Sequence, residues 1–265
     1  MFELIEAIIL GVIQGLTEFL PVSSSGHLEI AKVLLGDDSL NEESMLMTVS
    51  LHAATALSTI IVFRHDIKDL SKHLIRPEGK TNRSFWMLIV ISMIPAVIIG
   101  LGFESQIEQL FSRNMLLVGS MLLLTAILLY FADMAKNTVK KVGVKEAIII
   151  GLAQAIAILP GISRSGATIS SSVLLGIDRE ASARFSFLMV IPLIFGKMAK
   201  DLLDGSFSNY DESILALICG FIAAFVTGIL ACKLMIRLVK SSQLKYFSWY
   251  CSLIGIIAII YHFAS

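Results

Sequence analysis

Six apolar stretches dominate this chain: Met45 to Phe63, Phe85 to Phe103, Met115 to Ala132, Ala183 to Leu203, Ser213 to Arg237 and Lys245 to Phe263. Each is close to the length of about 20 residues that a helix needs to cross a bilayer core. Lipid offers no partner to a free backbone N–H or C=O, so a run this long without alternation has to fold as a helix that satisfies its own backbone. The expected fold is an all-α polytopic membrane protein. Composition agrees, since 56% of the 265 residues are hydrophobic and only 16% are charged, far from the balance of a soluble domain. Pro95 and Pro192 fall inside two of the runs and are expected to kink those helices, not end them.

The 21 Lys and Arg residues sit between the apolar runs and form no basic face, which argues against nucleic acid as a partner. Cys219, Cys232 and Cys251 all lie within apolar segments and read as small buried hydrophobes, not a disulfide or metal framework. The opening MFELIEAIILG carries Glu3 and Glu6 where a signal peptide would need positive charge, so insertion through the chain's own spans is expected.

Two more apolar regions, Glu3 to Leu35 and Lys145 to Leu175, are cut in the middle by Pro21 and by Pro160-Gly161. Their arms, about 14 to 18 residues, are short for a full span. Broken backbone at that depth is tolerated only inside protein or along a wet cavity, so each region is expected to be a re-entrant helical hairpin. The breaks share a register: Gln14 and Gln154, Ser23 and Ser163, Ser25 and Ser165, and Gly26 and Gly166 are all 140 positions apart, while the Leu-Pro pairs at Leu20 and Leu159 differ by 139. A hairpin followed by three spans, repeated once, turns the second copy over. The chain then reads as one membrane domain, residues 1–265, with inverted-topology repeats over about 1–135 and 140–265.

Charge gives the orientation. The loops holding Arg64, Lys68, Lys72, Arg76, Lys80 and Arg83, then Lys136, Lys140, Lys141 and Lys145, then Arg179 and Arg184, then Lys233, Arg237, Lys240 and Lys245 carry sixteen cations. The opposite loops carry four, Lys32, Arg113, Lys197 and Lys200, among acids that include Asp37, Asp38, Glu42, Glu43, Glu104, Glu108, Asp211 and Glu212. The richer side is assigned to the cytoplasm, which puts both termini and the mouth of the first hairpin outside.

Polar groups at this depth are costly and mark function when they converge. Glu18 lies one turn after Gln14, on the same face of the first arm. Ser23, Ser24, Ser25 and His27 follow at the break, where the free N–H groups of a new helix can hold an anion. Arg164, flanked by Ser163 and Ser165 and followed by Thr168, stands at the matching place in the second hairpin and offers a forked cation among hydroxyls, the pattern of a phosphate receptor. Singly, each residue has a structural use: Glu18 can pair with Arg164, and serines can bond backbone carbonyls. Their appearance together at both breaks favours a site. His52, on the first full span, reads as an interhelical hydrogen bond before a direct role. Ser24 needs a base to attack phosphorus, and His27 or Glu18 could serve. Glu18 beside amide and hydroxyl oxygens could also hold a hard divalent cation, Mg²⁺ or Ca²⁺, that bridges phosphate oxygens.

At these residues the chain resembles the undecaprenyl-diphosphate phosphatase family, the BacA-type bacitracin-resistance proteins. The (Glu/Gln)-x-x-x-Glu motif stands as Gln14-Gly-Leu-Thr-Glu18 and runs on to Pro21-Val-Ser-Ser-Ser-Gly-His27. The Pro-Gly-x-Ser-Arg-Ser-x-x-Thr motif stands as Pro160 to Thr168. The resemblance implies hydrolysis of undecaprenyl diphosphate to the monophosphate in the bacterial inner membrane, recycling the lipid carrier of peptidoglycan synthesis and conferring bacitracin resistance, with a divalent cation. It implies Glu18, Ser24, His27 and Arg164 as catalytic positions, Gln14, Ser23, Ser25, Ser163, Ser165 and Thr168 as substrate-binding ones, and Glu18 as the metal ligand. Gln14 stands where some members have Glu, so the motif supplies one formal charge here. The partners expected are a polyprenyl diphosphate and membrane lipids, with a homodimer as the candidate assembly and a site opening to the outer face. The competing reading is a polyprenyl-phosphate flippase or other secondary transporter, because broken helices in inverted repeats also serve alternating access.

Overall fold

The computed structural model describes residues 2–27, 30, 45–72, 80–103, 106–107, 110, 114–203 and 213–264. Lys32, Leu35, Asp37, Asp38, Glu42, Glu43, Arg76, Glu104, Glu108, Arg113, Asp211 and Glu212, and the side chains of Glu3, Lys80, Arg83 and Lys197, lie outside the described residues. Among those described there are ten principal helices: α1 (Phe2–Thr17), α2 (Met45–Val62), α3 (Arg64–Lys72), α4 (Lys80–Gly102), α5 (Met115–Met134), α6 (Val144–Ile156), α7 (Arg164–Leu174), α8 (Arg179–Leu203), α9 (Ile214–Lys240) and α10 (Lys245–Ala264). The protein is all-helical, and five of these helices, α4, α5, α8, α9 and α10, are long and apolar enough to cross a membrane.

The sixth expected span differs in its ending. Helix α2 stops at Val62, and α3 leaves it at 71°. The reason is in the sequence RHDIKDLSK, where five charged residues and a histidine cannot continue into lipid, and the helix instead buries Leu70 alone while every charge but the half-buried Asp66 stays exposed. Helix α1 is a shorter apolar helix. In the second broken region α6 has 13 residues and α7 has 11, so these arms are shorter than expected. Pro95 and Pro192 lie within continuous helices α4 and α8.

The two halves cross over. Helix α1 packs along α9, α6 packs along α4, and α5 packs along α10. Close backbone approach explains two glycines 140 positions apart: a Cβ at Gly11 would collide with the carbonyl oxygen of Gly220 on α9, and one at Gly151 with that of Ser92 on α4. Without a hydrophobic drive in lipid, helix pairs gain from this intimacy of small residues. Around the centre, Phe19 meets Phe187 edge-on at 5.6 Å and Phe187 meets Phe63 at 6.2 Å, all three buried.

The four basic loops gather at one end of the bundle. Arg184 pairs with Asp66 at 2.7 Å, and Arg179 donates to Asn137 Oδ1 and to the carbonyls of Asp133 and Ala135. Lys240 reaches Glu180 at 2.7 Å, and Asp133 Oδ1 accepts from the Leu244 backbone N–H. An exposed pair such as Lys240–Glu180 adds little stability, whereas Arg179 is buried among its acceptors. These contacts do establish that the loops after α2, α5, α7 and α9 share one end.

Candidate functional site

Each break is built by the same local chemistry. After Pro21, the Ser23 hydroxyl accepts from Gly26 N–H at 3.1 Å and Ser23 O accepts from His27 N–H, starting a helical turn over residues 24–27. After Pro160, the Ser163 hydroxyl accepts from Gly166 N–H at 3.1 Å and Ser163 O accepts from Ala167 N–H, starting α7. Serine is apt at such a start because its side chain satisfies an N–H that the first turn leaves unpaired. The cross-bonds repeat too, with Ser23 Oγ and Ser25 Oγ 3.4 Å apart and Ser163 Oγ and Ser165 Oγ 3.3 Å apart. The one-residue slip between the Leu-Pro and Ser registers also has a structural counterpart. The second break has an extra residue, and its left-handed position is Gly161 at φ +95°, whereas the first break puts Ser23 itself there at φ +66°. A serine in that region carries strain of order 1 kcal/mol, and a glycine carries none.

The two breaks touch. A Cβ on Gly26 would lie 2.9 Å from Gly161 Cα, and the Ser165 hydroxyl donates to Leu20 O at 3.3 Å. Arg164 Nη2 donates to Glu18 Oε1, joining the cation of one break to the carboxylate of the other. Glu18 Oε2 accepts from Gln14 Nε2 at 3.1 Å, and Gln14 Nε2 is also 3.2 Å from His52 Nδ1 on α2, which lies 3.9 Å from Glu18 Oε2. Removing a carboxylate from water costs several kcal/mol unless it is paired and hydrogen-bonded. Here both oxygens have donors. The Glu18 side chain is 3% exposed and that of Arg164 26%, so the carboxylate anchors the pair from below while the guanidinium keeps an open edge. A small cavity beside them is lined by Glu18, Arg164, Ser165, Ser186 and the rings of Phe19 and Phe187.

The remaining candidates divide. Thr168 turns from the open edge, bonding Arg164 O at 2.8 Å and Ser186 Oγ on α8 at 2.6 Å, and so ties the helix start to its neighbour. Ser23 and Ser163 are buried as caps. The Ser24 hydroxyl takes no hydrogen bond among the described residues and is half-buried, which leaves it the unengaged member of the serine run. Among the described residues His27 makes no hydrogen bond to Glu18 or Arg164; its Nδ1 lies 2.8 Å from Ser23 O and its Nε2 2.8 Å from the Tyr250 hydroxyl on α10. Ser186, Tyr250 and Thr125, which accepts from Ser163 N–H at 3.1 Å, belong to no motif. Each is a polar residue with an apolar neighbour on both sides, and that is the only trace it leaves in the sequence.

Chemically the arrangement offers a partly open guanidinium, two helix starts with N–H groups, an unengaged hydroxyl and one buried carboxylate, a set suited to an anionic group carrying phosphate. Comparison with known proteins points the same way. Residues 7–257 match the family described as bacitracin resistance protein BacA. A protein named undecaprenyl-diphosphatase from Christiangramia forsetii is 60% identical over 264 residues, 99% of each chain. Proteins of the same name from Bacteroides fragilis and Halothermothrix orenii are 47% and 40% identical over 262 residues, covering 97% of this chain and 98% of each relative.

Proposed function

The chain belongs to the bacitracin resistance protein BacA family, and from that membership we infer that it is a multi-pass membrane enzyme hydrolysing undecaprenyl diphosphate to undecaprenyl phosphate and inorganic phosphate. This recycles the lipid carrier for cell-wall synthesis and fits bacitracin resistance. The observation that carries the reading to this chain's own residues is the contact between Arg164 and Glu18 across the two breaks. A tail can remain in lipid while its diphosphate enters the polar gap. The transporter reading gains no observation of its own. Phosphate release from undecaprenyl diphosphate by the purified protein in detergent tests the function, because a pure transporter releases none.

In the proposed mechanism Arg164 grips the diphosphate without leaving Glu18. A guanidinium has five N–H donors, so the fork that meets Glu18 leaves others for phosphate oxygens and for charge that builds during transfer. Glu18, held by Gln14, fixes the guanidinium in place. Ser163, Ser165 and Thr168 shape that helix start, and Ser23 and Ser25 shape the facing one. Ser24 Oγ attacks the terminal phosphorus, its proton passes to His27 or Glu18, and the bridging oxygen leaves on undecaprenyl phosphate. Water then frees the phosphate from serine. Direct attack by water is the competing course.

The divalent cation fits better as part of the substrate than as a resident ion. Both Glu18 oxygens face donors, and among the described residues no three His, Cys, Asp or Glu side chains group together. A cation arriving on the diphosphate would need only one carboxylate oxygen from the protein. Phosphate release that falls with a chelator and returns with Mg²⁺ or Ca²⁺ is the expected result; release indifferent to chelator removes the cation from the account.

The topology we propose has two re-entrant hairpins and six spans in inverted repeats, with the basic end in the cytoplasm. Its support is the crossed packing of α1 on α9 and α6 on α4, and the shared end of the four basic loops. The first hairpin then enters from outside and the site opens outward, with both termini outside. Single cysteines at Asp38 and Lys72 in a cysteine-free background, probed on intact cells with an impermeant thiol reagent, should label at 38 and not at 72. The reverse pattern overturns the orientation.

A further inference from the structure

We propose that Tyr250 is a positioning residue for His27, holding the imidazole, whose tautomer Ser23 O sets, with its Nε2 directed at the phenol. The inference rests on the reading of His27 as a proton carrier and extends it to a helix that carries no motif. Ser23 O is a carbonyl and can only accept, so the 2.8 Å contact requires His27 Nδ1 to carry a hydrogen. The neutral ring then has its lone pair on Nε2, and the Tyr250 hydroxyl, 2.8 Å away, donates to it. The rings are also near-parallel, 6° apart with centroids 5.5 Å from one another, so contact area and hydrogen bond together fix the orientation.

A phenol suits this place because it is both donor and acceptor. Because the phenol occupies the Nε2 lone pair, a proton reaches His27 through it: the hydroxyl passes its hydrogen to Nε2 as it takes the one leaving the attacking hydroxyl or a water, and it then accepts from the new N–H, so the same side chain holds the ring in both protonation states. Ser23 O orients the base from Nδ1, and Tyr250 holds it from Nε2. The next residue of the helix pins the same break: Cys251 Sγ donates to Pro21 O at 3.4 Å. Helix α10 thus braces the first break, as α5 braces the second through Thr125, which donates to Gly161 O and accepts from Ser163 N–H. The last span of each half supports the broken hairpin of the other.

The test is Tyr250→Phe in the full-length protein in detergent, which keeps the ring and removes the hydroxyl. Turnover of undecaprenyl diphosphate should fall about tenfold in kcat, the scale of one hydrogen bond lost from an oriented base, with KM within about twofold because Tyr250 does not touch the diphosphate. With ¹⁵N-labelled histidine, the His27 signals, identified by their loss in His27→Gln, should show a protonated Nδ1 and a hydrogen-bonded, unprotonated Nε2. In Tyr250→Phe the Nε2 signal should move to that of an unbonded acceptor. An Nε2-protonated neutral ring in the unmodified protein, an Nε2 signal unmoved by Tyr250→Phe, or unchanged kcat would each overturn the proposal. Normal turnover in His27→Ala is a separate result, which would remove His27 from the chemistry.

Discussion

Arg164→Lys should lose nearly as much phosphate release as Arg164→Ala, with kcat/KM down about a thousandfold in both, the scale of an arginine that stabilises a transferred phosphoryl group. Lysine keeps the charge, so the expectation turns on geometry. Arg164 has to meet the buried Glu18 oxygen with one edge and the diphosphate with another, and a planar fork can do both at once where an ammonium acts as a single point. The two variants should differ in stability. Arg164→Ala leaves Glu18 buried without its cation, a loss of about 3–5 kcal/mol for a broken buried pair, whereas lysine restores part of the pairing. A lower melting temperature for alanine than for lysine, with similar loss of turnover, is therefore the expected combination. Near-normal turnover in Arg164→Lys would contradict the role.

Ser24→Ala should lose at least about a thousandfold in kcat, as when a nucleophile is removed and only binding and electrostatic help remain. Its neighbours should behave otherwise. Ser23 serves as a cap, and Ser23→Ala should cost about 1 kcal/mol of stability together with a smaller loss of turnover. The distinction comes from the hydrogen bonds: the Ser23 hydroxyl accepts from Gly26 N–H and meets Ser25, and Ser24 alone stays unengaged. Substantial turnover in Ser24→Ala alongside loss in His27→Ala would move the attack to His27 or to water.

Much of this could be read from residue order alone. Long apolar runs dictate helices because lipid leaves the backbone no other partner, and the 140-residue register of Gln, Ser and Gly announced two related breaks. Both have the same Ser cap and the same Ser–Ser contact. What residue order did not contain was which side chains meet across the chain. His27 turns toward Tyr250, a residue 223 positions away on an apolar helix whose pattern says only that it is buried or faces lipid. The separate tasks of Ser23, Ser24 and Ser25 depend on the left-handed turn at Ser23, and nothing in three consecutive serines signals it. The 71° bend after Val62 was concealed for a different reason, because a charged amphipathic segment following a span can be loop or helix until its one apolar contact, Leu70, finds the core.

In the proposed mechanism one diphosphate is shared by the two breaks. This sharing is tested most directly by a structure of the protein with a polyprenyl diphosphonate whose bridging oxygen is replaced by methylene, so that it binds without being cleaved. Arg164 N–H groups should bond phosphonate oxygens, with Ser24 Oγ about 3–3.5 Å from the terminal phosphorus, the separation of reacting atoms poised for attack. A head group held by one break alone, with Ser24 or Arg164 out of reach of it, would contradict a shared site.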